Sequence, residues 1–169
     1  KDLKILLIER GAEPMKGLWA LPGDLVRQEE DLETSANSIL KKLTGVDGVY
    51  LKQVKAFGEV DRHPLGRVIT IAYYALVDVS QVHIAPASWA DAVKWKKLSN
   101  LPKLGFDHEK IIETCKEQLL EDAKYHPIGF ELLPIKFTLG QFQALYEAIY
   151  QTKLDSSNFR KKVKSLDLL

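Results

Sequence analysis

The chain has one cysteine, one methionine and almost no net charge: 24 Lys and Arg offset 23 Asp and Glu, leaving +1. With Cys115 alone, no internal disulfide can form, which suits a reducing compartment and a cytoplasmic protein. No apolar run approaches the roughly 20 residues that a membrane helix needs, so no membrane partner is expected. Nothing at the start resembles a signal peptide. The balanced charge excludes a globally basic surface, so any contact with nucleic acid must be local. The four histidines, His63, His83, His108 and His126, show no metal-ligand spacing and are expected at the surface or at helix caps; no metal or cofactor is expected. What remains is ordinary for a soluble globular chain: 169 residues, 46% hydrophobic and 28% charged, enough for one domain or two small ones. There is no initiator Met, the chain opens directly on a strand, and it stops soon after a basic helix, so both ends are expected to be incomplete.

The stretch Leu21 to Val46, LPGDLVRQEEDLETSANSILKKLTGV, organises the rest. It reads as a loop feeding a short strand, a tight turn and one amphipathic helix. Asp31 is placed to cap that helix and Glu33 to favour its positive end. Leu32, Ala36, Ile39, Leu40 and Leu43 recur at helical spacing, and Gly45 falls where a helix takes a left-handed stop.

Leu21, Pro22, Gly23, Val26, Glu30, Leu32, Glu33, Ala36, Leu40, Thr44 and Gly45 match the frame of the Nudix box without a gap, and the stretch resembles it. The chemistry departs from that frame. Where the box has R-E-U-x-E-E, this chain has Ser38, Ile39, Leu40, Lys41, Lys42 and Leu43, and Asp24 replaces the box's first glycine. Nudix hydrolases cut a pyrophosphate with Mg²⁺, a hard cation that takes oxygen ligands. Carboxylates at i and i+4 share a helix face and can share metal ions. An aliphatic pair at Ile39 and Leu43 cannot ligate, and the Lys42 ammonium repels a cation. The resemblance therefore implies a Nudix fold with no catalytic residues and no metal site. An active, Mg²⁺-dependent hydrolase of ADP-ribose pyrophosphatase type stays open as the alternative through Glu29, Glu30, Asp31 and Glu33.

Leu3 to Ile8 reads as a buried strand, and Gly11 to Gly17 as a loop. In Nudix proteins this region enters the ligand cleft, which makes Arg10 and Trp19 candidate effector contacts; core packing is the other reading of Trp19. Val49 to Phe57 and Arg67 to Asp78 read as two strands joined by a polar turn, with a further short strand around Trp95. Arg62 and Arg67 flank the turn. Their forked donors suit phosphate oxygens, although surface arginines have the same spacing. Pro102 and Gly105 break the pattern. Asp107 is placed to cap a helix to about Asp122 that includes Ile111, Ile112, Cys115 and Leu119 on its apolar stripe.

Thr138 to Gln141 forms a T-x-x-Q capping box, followed by a helix to about Tyr150 that buries Phe142, Leu145 and Ile149. After a short linker, Asp155 caps a second helix with Phe159, Val163 and Leu166 inward and Ser156, Ser157, Asn158, Arg160, Lys161 and Lys164 outward. Two capped helices, the second basic, describe a helix-turn-helix; a solvated cationic face on a helical hairpin is the bland reading.

The order of a Nudix-like domain, an FDH-initiated helix (Phe106, Asp107, His108), PIGFELLP, FTLGQFQALYEAIY and LDSSNFRKKV resembles the Nudix-related transcriptional regulators, over nearly the whole chain. The resemblance implies an α+β architecture: a Nudix α/β/α sandwich with a mixed sheet in residues 1–104, a linker or dimer helix in 105–124, and a winged helix-turn-helix in 125–169. The sandwich's first strand is expected ahead of Lys1 and the wing beyond Leu169. It also implies a homodimer on a palindromic double-stranded DNA operator. Arg10, Trp19, Arg62 and Arg67 would face an effector, either ADP-ribose or a pentose sugar such as arabinose. Ser156, Ser157, Asn158, Arg160, Lys161 and Lys164 would face DNA, with the two serines standing where the family often has Lys-Arg. A scaffold that uses the basic helix on an acidic partner is the third reading.

Overall fold

The computed structural model describes residues 3–126, 128–133 and 136–165. The chain divides into two compact units, one spanning Lys4–Cys115 and one made mainly of the chain from Lys116 onward.

The first unit is built on β1 (Lys4–Arg10), whose continuous apolar run is buried on both faces. It pairs antiparallel with β2 (Trp19–Ala20) on one side and with β5 (Ala90–Lys97) on the other. An isolated parallel bridge joins Trp19 to Leu104 beside this antiparallel sheet. β3 (Lys52–Phe57) and β4 (Thr70–Tyr74) form a separate antiparallel pair. Adjacent residues of β1 feed opposite cores, as the period of two requires. Ile8 packs with Ala20, Leu43, Ala90 and Val93, together with Ile39 of helix α1 (Leu32–Thr44). Leu7 packs with Leu104 and Ile112, the latter from helix α2 (His108–Tyr125). Phe57 and Ala72 pack with Ile111, flanked by Cys115, whose thiol burial pushes up to about 11. One helix thus covers each face of β1.

α1 forms as its sequence dictates. The Thr34 N–H donates to Asp31 Oδ1 at 2.7 Å, and Gly45 takes the left-handed conformation at φ 77° that a side chain would strain. No strand forms between Leu21 and Asp31. The strand is Trp19–Ala20, upstream, and Leu25 and Val26 are exposed because no neighbouring strand receives them. The strand expected over Arg67 to Asp78 is only Thr70–Tyr74, because its partner β3 pairs no further than Lys52 opposite Tyr74. The short strand around Trp95 is longer than expected, since β1 pairs along all of it. All three tryptophans, Trp19, Trp89 and Trp95, belong to this unit.

α2 continues from the first unit into the second. There, a 3-10 turn (Phe130–Leu132) leads to helix α3 (Leu139–Tyr150) and helix α4 (Ser156–Ser165). The Thr138–Gln141 capping box is complete. Phe142, Tyr146 and Ile149 of α3 are buried with Phe159 and Val163 of α4, so Tyr146 takes the buried position expected of Leu145. Leu145 instead lies over Gly129, where an added Cβ would come within 3.0 Å of it. Phe130, Phe137, Phe142, Tyr146 and Phe159 form a ring cluster with centroids 4.8–5.9 Å apart. Leu166 lies outside the described residues.

Candidate functional sites

Three box positions of α1, Ile39, Lys42 and Leu43, offer no metal ligand. Leu43 is fully buried, Ile39 packs beside it, and the Lys42 ammonium sits 3.4 Å from the Asp24 carboxylate. These residues do not fit Mg²⁺, which would need oxygen ligands where this helix has two core side chains and a cation. Among the described residues, no group of three or more His, Cys, Asp or Glu could hold a metal ion.

A denser constellation surrounds the start of α2. The Arg10 guanidinium lies 4.8 Å from the ring centre of Trp89 and 5.0 Å from that of Phe106, with Nε donating to Pro14 O at 2.7 Å. Partial burial, which disfavours the charged form, lowers its pKa. The other aromatic contacts of Phe106 are His63, stacked at 5.0 Å and 9°, and His108, tilted at 5.2 Å. Phe106 is held at φ 58°, a left-handed position uncommon for a side chain of its size.

Arg62 donates through Nη2 and Nε to both Asp107 oxygens, at 2.6 and 2.9 Å, and through Nη1 to Thr70 Oγ1 at 2.7 Å. Its side chain is 4% exposed. Asp107 does precede α2, with Ile111 N–H donating to its carbonyl at 3.2 Å, but its carboxylate goes to Arg62.

His108 corrects the expectation of a surface or capping histidine. Its Nδ1 accepts the Leu21 N–H at 2.9 Å, so the neutral ring carries its proton on Nε2, and burial pulls its pKa down to about 4. The residue that opens the box is thereby tied to the first residue of α2.

The four expected effector contacts are not one cluster. Arg10 and Arg62 converge on Phe106–Asp107. Trp19 packs in the core with Leu7, Leu104 and Ile112, and its ring lies 4.3 Å from Lys96 Nζ and 6.0 Å from Lys94 Nζ. Arg67 is exposed and closes the β3–β4 connection by donating to Gly58 O at 2.6 Å. Sequence reasoning did not find His63, Trp89 or Phe106, because they come from separate segments with no shared spacing.

In the second unit, Asp155 caps α4: the Asn158 N–H donates to its Oδ1 at 2.8 Å. Ser156, Ser157, Asn158, Arg160, Lys161 and Lys164 are all exposed. Ser157, Arg160, Lys161 and Lys164, three and four residues apart, share a face turned from Phe159 and Val163. α4 contains Arg160, Lys161, Lys162 and Lys164 and no carboxylate.

A Nudix-box frame without its ligands, in an α/β unit followed by a capped helix pair ending in a basic helix, defines a Nudix-fold protein with a helix-turn-helix unit. Residues 129–169 match the NrtR DNA-binding winged helix domain. The ADPR responsive transcriptional repressor NtrR of Acinetobacter baylyi is 33% identical over 166 residues, 96% of this chain and 66% of that protein. The ADP-ribose pyrophosphatase of Methanocaldococcus jannaschii is 39% identical over 113 residues, 67% of this chain and 66% of that protein. The chain thus spans 66% of the length of each of these curated relatives. Shewanella oneidensis NrtR superposes with a TM-score of 0.83 at 32% identity, over 99% of this chain and 79% of that one. Its complex with a 27mer DNA gives 0.82 at 32%, over 98% and 77%. Its NUDIX domain in complex with ADP ribose gives 0.63 at 33%, over 70% and 79%. The chain belongs to the NrtR family of Nudix-related transcriptional regulators, and its fold is the expected Nudix sandwich followed by a winged-helix domain.

Proposed function

We propose that this chain is a DNA-binding transcriptional regulator whose degenerate Nudix domain senses ADP-ribose. The observation that carries the reading is α4. It is a capped helix with four cations, no carboxylate, and a polar face left exposed by the packing of Phe159 and Val163. Such a face neutralises phosphates through Arg160, Lys161 and Lys164, while Ser156, Ser157 and Asn158 near its N-terminus are short enough to reach base edges or phosphate oxygens. The choice of ADP-ribose over a pentose is supported by the relative that responds to it and by the NrtR NUDIX domain crystallised with it.

In this reading residues 1–104 form the effector module, 105–124 the connecting and dimer helix, and 125–169 the DNA module. The protein acts in the cytoplasm as a homodimer on a palindromic operator, since two-fold protein symmetry calls for two half-sites. No described helix is long and apolar enough to cross a membrane. Arg10, Trp19 and Arg67 contact the effector. Arg62, whose donors are taken by Asp107 and Thr70, serves that site by holding the start of α2. The similarity to an ADP-ribose pyrophosphatase favours hydrolysis as a second reading. The packed Ile39 and Leu43 weigh against it.

The test is fluorescence anisotropy with the full-length protein and duplex DNA from upstream of its own coding region, titrated with ADP-ribose and separately with L-arabinose. Specific binding weakened or strengthened by ADP-ribose alone is the expected result. Absence of specific binding at low salt, with or without either ligand, would overturn the regulator reading.

A further inference from the structure

α3 reaches across to hold Leu154 by both its backbone N–H and its carbonyl. Glu147 Oε1 accepts the Leu154 N–H at 3.0 Å, and Gln143 Nε2 donates to the Leu154 carbonyl at 2.9 Å. Gln143 Nε2 also donates to Glu147 Oε1 at 3.1 Å, which locks the two side chains together. They stand four residues apart on α3 and so share one face. Leu154 directly precedes Asp155, the residue that caps α4. The buried apolar residues described in α4 itself are Phe159 and Val163, the latter two turns along the helix. Apolar contact is not directional, whereas a paired N–H and C=O fixes an orientation.

We infer that Gln143 and Glu147 are positioning residues for DNA recognition: by clamping the backbone on both sides of Leu154 they set the angle and register at which α4 presents Ser157, Arg160, Lys161 and Lys164. This rests on the reading of α4 as the DNA-contacting helix. The clamp depends on hydrogen-bond acceptance by Glu147 more than on its charge, because its salt-bridge partner Lys153 is 93% exposed and screened by water. The same contacts hold the Glu147 carboxyl down at about 2, with the Leu154 N–H as the largest cause, so the clamp stays intact throughout the neutral range.

The experiment compares Glu147→Ala, Glu147→Gln and Gln143→Ala with the wild type in the full-length protein. Two duplexes of equal length are used, one from upstream of the coding region and one with that sequence scrambled. Glu147→Gln keeps an oxygen for the Leu154 N–H. Glu147→Ala and Gln143→Ala are expected to lose about tenfold or more in affinity for the upstream duplex and little for the scrambled one. Glu147→Gln should bind nearly as the wild type does. A positioning role predicts this loss of selectivity. Loss through unfolding would lower both affinities together, and a purely electrostatic role would raise both in Glu147→Ala and Glu147→Gln alike; either overturns the inference. So would unchanged selectivity in Glu147→Ala. Amide hydrogen exchange at Leu154 is measured alongside and needs no DNA. Protection that persists in Glu147→Ala shows that the clamp does not exist. Protection lost in Glu147→Ala, together with a wild type that selects neither duplex, shows that the DNA reading has failed and the positioning role with it.

Discussion

Arg62 and Asp107 meet through two parallel hydrogen bonds of 2.6 and 2.9 Å, and the arginine is almost completely enclosed. They lie 45 residues apart, one in the β3–β4 connection and one immediately before α2. Breaking a buried pair costs more than forming it gains, because the surviving charge is left without water or partner. Asp107→Ala, which strands the guanidinium, should destabilise the protein by about 3 kcal/mol. Arg62→Ala, which leaves the more exposed carboxylate, should cost less. Urea unfolding of both variants checks the order, and equal losses would show that the two sites are not distinguished by burial.

His108 makes stability depend on pH. Its folded pKa, about 4, lies below the ordinary 6.5 because burial disfavours the cation. Between these values the unfolded chain binds the extra proton. The neutral ring's contribution is therefore complete above pH 6.5 and is lost progressively down to about pH 4. The full shift corresponds to at most about 3 kcal/mol. His108→Asn retains an acceptor for the Leu21 N–H, does not titrate, and should flatten the unfolding midpoint over this window. A slope that survives in His108→Asn would place the titrating group elsewhere.

Restoring the box should fail. Leu43 is fully buried, so Leu43→Glu places an unpaired carboxylate in the core and should destabilise by several kcal/mol, roughly 3 or more. Ile39→Glu should be milder. Neither variant, nor both with Lys42→Glu, is expected to bind Mn²⁺, as read by water-proton relaxation. Tight metal binding by the triple variant would show that the loss of ligands alone separates this helix from a hydrolase.

Arg160→Ala should weaken binding to the upstream duplex by about 1–3 kcal/mol if it reads a base, or reduce the salt slope by about one if it meets a phosphate. ADP-ribose affinity, measured by calorimetry, should not change. A parallel loss of effector binding would contradict the assignment of α4 to the DNA module alone.

Much of this molecule could be read from its sequence wherever the determining chemistry is local. Asp31 and Gly45 bound α1, and Thr138 with Gln141 opens α3, because capping involves residues within one turn of each other. The outward face of α4 followed from spacing alone. Strand ends were less legible, since Thr70–Tyr74 stops where its partner stops and not where β-forming residues run out. The Arg10, His63, Phe106 and His108 stack and the Arg62–Asp107 pair join distant segments, and no local pattern announces them. The spacing of Arg62 and Arg67 about the turn marks both as candidate anion contacts, yet only the burial of Arg62 shows what its donors are used for. Asp107 was placed correctly ahead of a helix, but its carboxylate serves a different partner.

The tryptophans of this protein are distributed unevenly, with all three in the Lys4–Cys115 unit, while the buried aromatic residues of α3 and α4 are phenylalanine and tyrosine. The molecule is therefore optically partitioned. Indole emission reports on the Nudix unit alone, and Trp89 against Arg10 is positioned to respond to events at that constellation. Tyrosine is shared, with Tyr50, Tyr73 and Tyr74 in the first unit and Tyr146 and Tyr150 in the helical one, so its signal reports on both. The first unit can therefore be followed by itself in an unlabelled sample.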